Sequence, residues 1–221
     1  MGSLPLILDS IILRFGEKDL LNGVYMGLEE GRVYGLYGLN GSGKTSLMKI
    51  VMGLLTPDSG TVFIGGTPYQ APLKRERFSQ IGYLPQDSFV PTDIGIRRLV
   101  GQFPDSLRSL LVGKPFVDHV QKKVGALSSG LRRYLEIRLV LSLNRPIILL
   151  DEPFTGLEPI LIERVIQDLR TARDSGRTIL LTDHYYQYVS EAVDERFLLS
   201  EGRCQPLNPA DDARLMMLRT N

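Results

Sequence analysis

The sequence has almost no cysteine, no excess of one charge and no long apolar run, and each absence excludes a class of protein. Cys204 is the single cysteine among 221 residues, which excludes an internal disulfide and fits a reducing compartment. Its 26 basic residues nearly balance its 25 acidic ones, whereas a nucleic-acid-binding domain is usually distinctly basic. The longest apolar runs, 139–143 and 147–150, fall far short of the ~18–20 residues that cross a bilayer. We therefore expect a cytosolic protein without a nucleic-acid partner, which reaches a membrane only through another protein.

Length and periodicity predict one α/β domain. The 221 residues suffice for a large domain with an inserted subdomain. Helical spacing of apolar residues predicts helices at 45–55, 160–173 and 185–193. Because strands and helices alternate in the second half, we expect a mostly parallel sheet covered by helices on both faces. Apolar runs between turn residues predict N-terminal antiparallel strands and the sheet strands, at 6–15, 20–28, 33–37, 61–64, 81–84, 147–150, 178–182 and 196–200.

The middle of the chain differs from the rest. Residues 87–126 contain Pro91, Pro104 and Pro115, short helical patterns such as 94–100, and no strong strand signal. We interpret this stretch, with the helix that follows it, as an inserted helical subdomain. The predicted organisation is a single domain, 1–221, whose core comprises 1–86 and 146–221 and whose helical subdomain comprises 87–145.

A phosphate-binding loop follows the predicted strand at 33–37. It fills every fixed position of the pattern G-x-x-x-x-G-K-[ST], and a helix begins directly after it. Backbone N–H groups at such a helix start offset the negative charge of a triphosphate. Lys44 is expected to reach the β- and γ-phosphates, and the Thr45 hydroxyl is expected to bind Mg²⁺. The predicted ATP-binding residues of this segment are Gly38, Leu39, Asn40, Gly41, Ser42, Gly43, Lys44, Thr45 and Ser46.

Two carboxylates end the predicted strand at 147–150. Asp151 stands where a carboxylate holds Mg²⁺ directly or through water. Glu152 points away from its neighbour, toward the place of an attacking water. One carboxylate for the metal and one that orients or deprotonates water are typical of a hydrolase. The alternative, that Glu152 merely starts a turn before Pro153, is disfavoured by the complete phosphate loop.

A third motif, Leu127-Ser128-Ser129-Gly130, opens a predicted helix ahead of Asp151. Taken alone, Ser128 is an ordinary N-cap. Together with the loop and the Asp-Glu pair, and over nearly the whole chain, the sequence resembles the ATP-binding cassette (ABC) ATPases, the motor subunits of ABC transporters. This resemblance implies that Ser128, Ser129 and Gly130 bind the γ-phosphate of ATP held by a second subunit, which agrees with the attraction of a helix N-terminus for anions.

The resemblance implies further site residues. His184 is the implied γ-phosphate sensor, and its place after strand 178–182 puts it on the sheet edge that carries the other groups. Gln86 is implied to touch Mg²⁺ or water and to connect the core to the helical subdomain. Phe15 stands where ABC cassettes keep an aromatic that stacks on adenine, with a core phenylalanine as the alternative; His119 is expected at the surface. The predicted catalytic residues are Glu152, His184, Gln86 and Lys44, and the predicted metal ligands are Thr45, Gln86 and Asp151.

Three positions depart from the family pattern. Ser129 replaces a usual glycine, Leu131 a frequent glutamine, and Glu158 a usual aspartate. The resemblance places the Ser129 hydroxymethyl near the second subunit's phosphate, and the extra methylene of Glu158 can disturb contacts that link the two sites of a dimer. We therefore hypothesise a functional but slow ATPase. Short motifs such as Thr182-Asp183-His184 look similar to the cassettes of lipopolysaccharide export and branched-chain amino-acid uptake.

The predicted function is that of an ATP-binding and ATP-hydrolysing subunit that powers an ABC transporter. Two copies, or one copy and a related cassette, would sandwich ATP and Mg²⁺, and closure would pull on transmembrane permease subunits at the inner face of the cell membrane. Two alternatives stay open. One is a soluble ABC-type ATPase of an assembly pathway, such as iron–sulfur cluster biogenesis, and the other is a degenerate cassette that binds ATP as a regulatory module.

Overall fold

The computed structural model describes residues 5–69, 79–104, 107 and 114–207. The strands are β1 Leu6–Phe15, β2 Lys18–Leu28, β3 Val33–Tyr37, β4 Ser59–Ile64, β5 Thr67–Tyr69, β6 Ile81–Leu84, β7 Ile147–Asp151, β8 Thr178–Thr182, β9 Glu195–Ser200 and β10 Arg203–Leu207. The α-helices are α1 Lys44–Met52, α2 Ile96–Val100, α3 Ser129–Ser142, α4 Pro159–Asp174 and α5 Tyr186–Ala192. The 3₁₀ turns Val117–His119 and Val124–Ala126 lie in the described residues between α2 and α3.

Two sheets form the framework. The larger has the order β10-β9-β3-β8-β7-β6, and its strands are parallel except for β10, which pairs antiparallel with β9. The smaller is antiparallel, in the order β2-β1-β4-β5. The predicted α/β class, with a mostly parallel sheet and N-terminal antiparallel strands, is confirmed.

Helix α1 lies in the core between the two sheets. Its Leu47 and Val51 are fully buried, and they share one hydrophobic cluster with Leu8 of β1 and with Leu149 and Leu180 of β7 and β8. Burial of so much apolar surface holds the helix, and with it the loop that precedes it, in a fixed position on the sheet.

The opposite face of the larger sheet packs against α4 and α3. Alternate residues of β7 point to opposite faces, so Ile148 and Leu150 join this second cluster while Leu149 joins the first. Val165 and Leu169 of α4 are fully buried against it. Every residue of β3, β7 and β8 is buried, as expected for parallel strands covered on both faces.

Most predicted elements agree with the structure to within a few residues. The helix predicted at 45–55 ends at Met52, and the pattern at 94–100 forms the shorter helix α2. The sequence reading missed two short strands, β5 and β10. Cys204 lies in β10, at the edge of the larger sheet, where burial raises the pKa of its thiol to about 12.

Parts of some predictions lie outside the described residues. These are positions 1–4, 70–78 and 208–221 of the predicted core, and 105–106 and 108–113 of the predicted helical subdomain. Among the residues that are described, no helix combines the length and the apolar character needed to cross a bilayer.

Candidate active site

The predicted phosphate loop, Gln86, Asp151, Glu152 and His184 converge at one edge of the larger sheet. The neighbouring parallel strands β3, β8, β7 and β6 all present their carboxyl ends there. The phosphate loop follows β3, His184 follows β8, Asp151 ends β7, and Gln86 follows β6. Such an edge is where open α/β sheets bind ligands.

Lys44, at the end of the loop after β3, forms hydrogen bonds to the backbone at the start of the same loop. The Lys44 ammonium donates to the carbonyl oxygens of Gly38 at 2.8 Å and Leu39 at 3.0 Å. Burial lowers the pKa of Lys44, and the carboxylates of Glu152 and Asp151 oppose that shift. The lysine is therefore a cation held among acidic and carbonyl oxygens, where incoming phosphate oxygens can exchange for the two carbonyls.

Two glycines of the loop are required by close approach as well as by conformation. A Cβ on Gly38, whose φ is 155°, would lie 2.4 Å from the carbonyl oxygen of Leu199. A Cβ on Gly43, whose φ is 106°, would lie 2.9 Å from the Leu21 side chain. The loop thus wraps against β9 and β2 without side chains of its own at these points.

Asp151 and Thr45 form an oxygen pair beside the loop. The Thr45 hydroxyl donates to Asp151 Oδ1 at 3.2 Å, while the buried Oδ2 has no hydrogen-bond partner in the described part of the protein. Burial raises the pKa of Asp151, and the Thr45 hydrogen bond opposes that shift. An unpartnered buried carboxylate oxygen beside a hydroxyl fits Mg²⁺, which prefers oxygen ligands and retains phosphate and water oxygens. No cluster of three or more His, Cys, Asp or Glu side chains that could hold a metal ion occurs in the described ranges.

Glu152 lies between two of the other predicted residues. His184 Nε2 lies 2.6 Å from its Oε1, and the Gln86 amide donates to its Oε2 at 3.2 Å. The backbone of Glu152 has a φ of 53°, a left-handed conformation that is costly for a residue with a side chain. Its N–H donates to the Thr182 carbonyl oxygen at 2.7 Å. This strained, well-anchored turn holds the carboxylate between His184 and Gln86.

The predicted second-subunit motif forms the start of α3. Ser128 is the N-cap and accepts a hydrogen bond from the Leu131 N–H at 3.2 Å. A Cβ on Gly130 would lie 2.5 Å from the Gly156 carbonyl oxygen, so only glycine fits there. This helix start lines an open cavity of about 450 Å³ together with Lys114, His119, Glu158 and Arg164. The cavity is separate from the group of residues around Glu152.

Phe15 does not belong to the core. It is the last residue of β1, just before the turn that leads to β2, and it is 58% exposed. The alternative of a core phenylalanine is therefore wrong, and an exposed ring is available for stacking.

Three buried charged residues near the site were not predicted from the sequence as site residues. Asp183 accepts from the Phe154 N–H at 2.7 Å and the Tyr185 N–H at 3.0 Å, and it ties the segment after Glu152 to the segment after His184. Burial raises the pKa of Asp183. Arg133 and Glu136 of α3 form a buried ion pair at 3.5 Å. Their signal was an opposite-charge pair at i, i+3 on a helix face that is otherwise apolar.

The fold and the site together define a phosphate-binding-loop ATPase domain. Residues 21–155 match the ABC transporter family. The chain is 31% identical over 212 residues to a Nod factor export ATP-binding protein I of Burkholderia lata, spanning 90% of this chain and 69% of that protein. It is also 31% identical over 216 residues to the protein of the same name from Burkholderia orbicola, spanning 92% of this chain and 70% of that one. The chain therefore belongs to the ABC transporter family, as an ATP-binding subunit whose ATPase activity powers transport.

Solved structures show the same fold. One, described as an ATP-binding subunit of an ABC transporter, superposes with a TM-score of 0.81 at 23% identity, over 98% of this chain and 95% of that one. Another, a bacterial Atm1-family ABC exporter with ATP bound, superposes with a TM-score of 0.83 at 18% identity, over 99% of this chain and 42% of that one.

Proposed function

We propose that this ATPase works through the residues grouped around Glu152, with Mg²⁺ and with a second cassette. The observation that carries the proposal is the Glu152 carboxylate, which two side chains hold beside the Thr45–Asp151 pair and the phosphate loop. A carboxylate in that place is suited to orient a water and to accept its proton.

The proposed binding step is an exchange of partners at Lys44. On entry of ATP, the ammonium leaves the carbonyl oxygens of Gly38 and Leu39 and pairs with the β- and γ-phosphates, while loop N–H groups bind the remaining oxygens. Phe15 stacks on the adenine. Thr45, Asp151 and Gln86 would hold Mg²⁺, which would neutralise negative charge on the phosphates.

The proposed hydrolytic step places one water against Glu152. The water oxygen bonds to the γ-phosphorus, the bond to the β–γ bridging oxygen breaks, and Glu152 takes the water's proton. His184 leaves its contact with Glu152 Oε1 to donate to a γ-phosphate oxygen. Gln86, which bonds the other carboxylate oxygen, holds Glu152 in place during this exchange.

A second cassette completes the proposed site. The cavity at the start of α3 offers the backbone N–H groups of Ser129 and Gly130 to an anion, but it lies apart from Lys44 on the same chain. Two chains arranged head to tail bring each helix start onto the ATP of the other. ATP then favours the closed dimer through its higher affinity for that state.

We further propose that the membrane partners are permease subunits and that the chain lies on the inner face of the cell membrane. Both Burkholderia relatives described above are named after export, which favours export as the direction of transport. Cells that carry Glu152→Gln should then accumulate the cargo inside, whereas an importer would leave it in the medium.

Tagged Glu152→Gln tests the proposal as bait in the source cell. Membranes are solubilised with ATP and Mg²⁺ present, and the co-purifying proteins are identified and quantified. A polytopic membrane protein in near-equal amount supports the transporter subunit. Recovery only from the soluble fraction, with a soluble partner, would overturn the membrane assignment in favour of an assembly ATPase, and ATP binding without hydrolysis by the unmodified chain would favour a regulatory cassette.

A further inference from the structure

Arg133 of α3 contacts the backbone carbonyl oxygens on both sides of the Glu152 Cα. The residue is only 7% exposed. It donates to the carbonyl oxygens of Asp151 at 2.5 Å and Glu152 at 3.1 Å, at the end of β7. It also donates to the carbonyl oxygen of Pro85 at 2.8 Å, immediately before Gln86. One side chain thus fixes the two backbone segments that carry Glu152 and its amide partner.

Glu136, one turn further along α3, extends this contact. Its carboxylate is 1% exposed and lies 3.5 Å from the Arg133 guanidinium. It accepts from the Ser88 hydroxyl at 2.5 Å and from the Val90 N–H at 3.4 Å. The segment that follows Gln86 is therefore tied to α3 at two further points.

Stability alone is a poor explanation for this pair. Burial lowers the pKa of Arg133, and Glu136 opposes that shift. The free energy lost by desolvating the two charges therefore offsets the attraction between them. Apolar residues of similar size often stabilise a protein as well as a buried ion pair does. What an arginine adds is a rigid fork of donors that fixes several acceptors in one geometry.

Helix α3 connects the two halves of the proposed site. It begins at the Ser128–Gly130 cavity, and Arg133 follows within about one turn. Because the start of the helix and Arg133 belong to one continuous hydrogen-bonded helix of 14 residues, we expect a displacement of its start by a second subunit's nucleotide to displace the Arg133 guanidinium as well.

We propose that Arg133 and Glu136 are a positioning pair, which transmits occupation of the α3 helix start to the orientation of Glu152 on the same chain. This inference rests on the proposed role of Glu152 in hydrolysis. The pair touches neither the nucleotide nor the water. It sets the backbone from which Glu152 and Gln86 project, so its loss should slow turnover without weakening ATP binding.

The test is a double substitution, Arg133→Gln with Glu136→Gln, in the full chain. Removing both charges leaves no unpaired buried charge, which is the main cause of unfolding in single variants. The matched control is Arg138→Gln with Asp168→Asn, because this pair also links α3 to a neighbouring element, at 3.2 Å, but contacts no segment of the site. For each variant, kcat, KM, the Kd for Mg-ATP and Tm are measured, together with ATP-driven dimerisation in a Glu152→Gln background.

The expected result is a kcat lowered about tenfold or more in the Arg133/Glu136 variant, with KM and Kd within about twofold of the parent and dimerisation retained. The control should keep its kcat within about twofold. An unchanged kcat would overturn the proposal, as would a loss that parallels a fall in Tm or dimerisation, or an equal loss in the control. Ser88→Ala, which removes one hydroxyl on an exposed residue, should lower kcat about two- to threefold with Tm unchanged, and no change there would exclude coupling through Glu136.

Glu152→Gln distinguishes a failure of the proposed role of Glu152 from a failure of the proposed role of Arg133 and Glu136. If that variant hydrolyses ATP like the parent, the proposed function is wrong and the positioning role has no target. If it is inactive while the Arg133/Glu136 variant is normal, only the positioning pair is wrong.

Discussion

The two halves of the proposed ATP site differ in how far one chain completes them. At the loop half, Lys44, Thr45, Asp151, Glu152 and His184 already bond to one another or to nearby backbone. At the signature half, Ser128 only caps its own helix, and an open cavity of about 450 Å³ adjoins it. The arrangement of the loop half suits binding of ATP, whereas the signature half is an open surface that suits binding of a second cassette with its nucleotide.

This difference assigns separate tasks to the two halves. Substitutions at the loop half should change ATP binding or the chemical step in any assembly. Substitutions at the signature half should leave ATP binding to a single chain intact and act only when two cassettes meet. The four predictions below are ordered from the largest expected effect to the smallest.

Glu152→Gln should have the largest effect. Loss of the proton acceptor should lower kcat by about 10²- to 10⁴-fold, while the Kd for Mg-ATP stays within about twofold because the amide still accepts from His184. Steady-state hydrolysis and equilibrium binding measure the two quantities. A rate within a factor of three of the parent would show that Glu152 is not the base.

Gly130→Ala should affect the signature half without affecting ATP binding at the loop half. Its Cβ would meet the Gly156 carbonyl oxygen at 2.5 Å, which forces the helix start out of place and should lower kcat by about tenfold or more. ATP binding to a single chain should not change. Gly95→Ala is the control, because a Cβ there has no atom within 4 Å; weakened single-chain binding in Gly130→Ala would contradict the division of tasks.

Asp151→Asn should stabilise the nucleotide-free protein. Because burial raises the folded-state pKa of Asp151 above 3.8, its charge costs stability, and this cost appears as pH rises above the unfolded value. The variant should therefore raise Tm at pH 7.5 by about 2–4 °C, a shift typical of ~1 kcal/mol in a domain of this size, and the gain should shrink as pH falls toward 4. Thermal unfolding with and without Mg-ATP checks both parts, since the variant should lose the extra stabilisation that Mg²⁺ gives with ATP. A lower Tm in the nucleotide-free state would contradict the prediction.

Phe15→Ala should have the smallest effect. Loss of one stacking contact of about 0.5–1.5 kcal/mol should raise the Kd for ATP by roughly 2- to 12-fold, with kcat at saturating ATP unchanged. Phe15→Tyr keeps the ring and serves as the control. Binding of ATP and of inorganic triphosphate by calorimetry distinguishes stacking from a general change, since triphosphate should bind both variants equally.

The chemistry of the loop half could be read from the sequence because it depends on consecutive residues. The spacing of Gly38 to Thr45 requires a strand before it and a helix after it, and the apolar run before Asp151 places that carboxylate at a strand end. Parallel strands share their carboxyl edge, so the proximity of His184 followed from topology alone. The structure confirms these placements.

Contacts between distant segments could not be read in the same way. Arg133 meets Pro85, Asp151 and Glu152 only after α3 has packed across β6 and β7. Strand β10 was missed because its five residues, Arg203–Leu207, contain a proline and no β-branched or aromatic residue, and its order comes from pairing with β9. Whether Ser129 and Glu158 slow the enzyme also depends on a surface that a second chain would cover.

The most direct measurement of the division between the halves is an experimental structure of Glu152→Gln with Mg-ATP. Two chains should enclose two nucleotides, with each γ-phosphate bound by Lys44 of one chain and by the α3 helix start at Ser129 and Gly130 of the other. A nucleotide held by one chain alone, with the α3 start of every other chain left open to solvent, would contradict the claim that the site is shared.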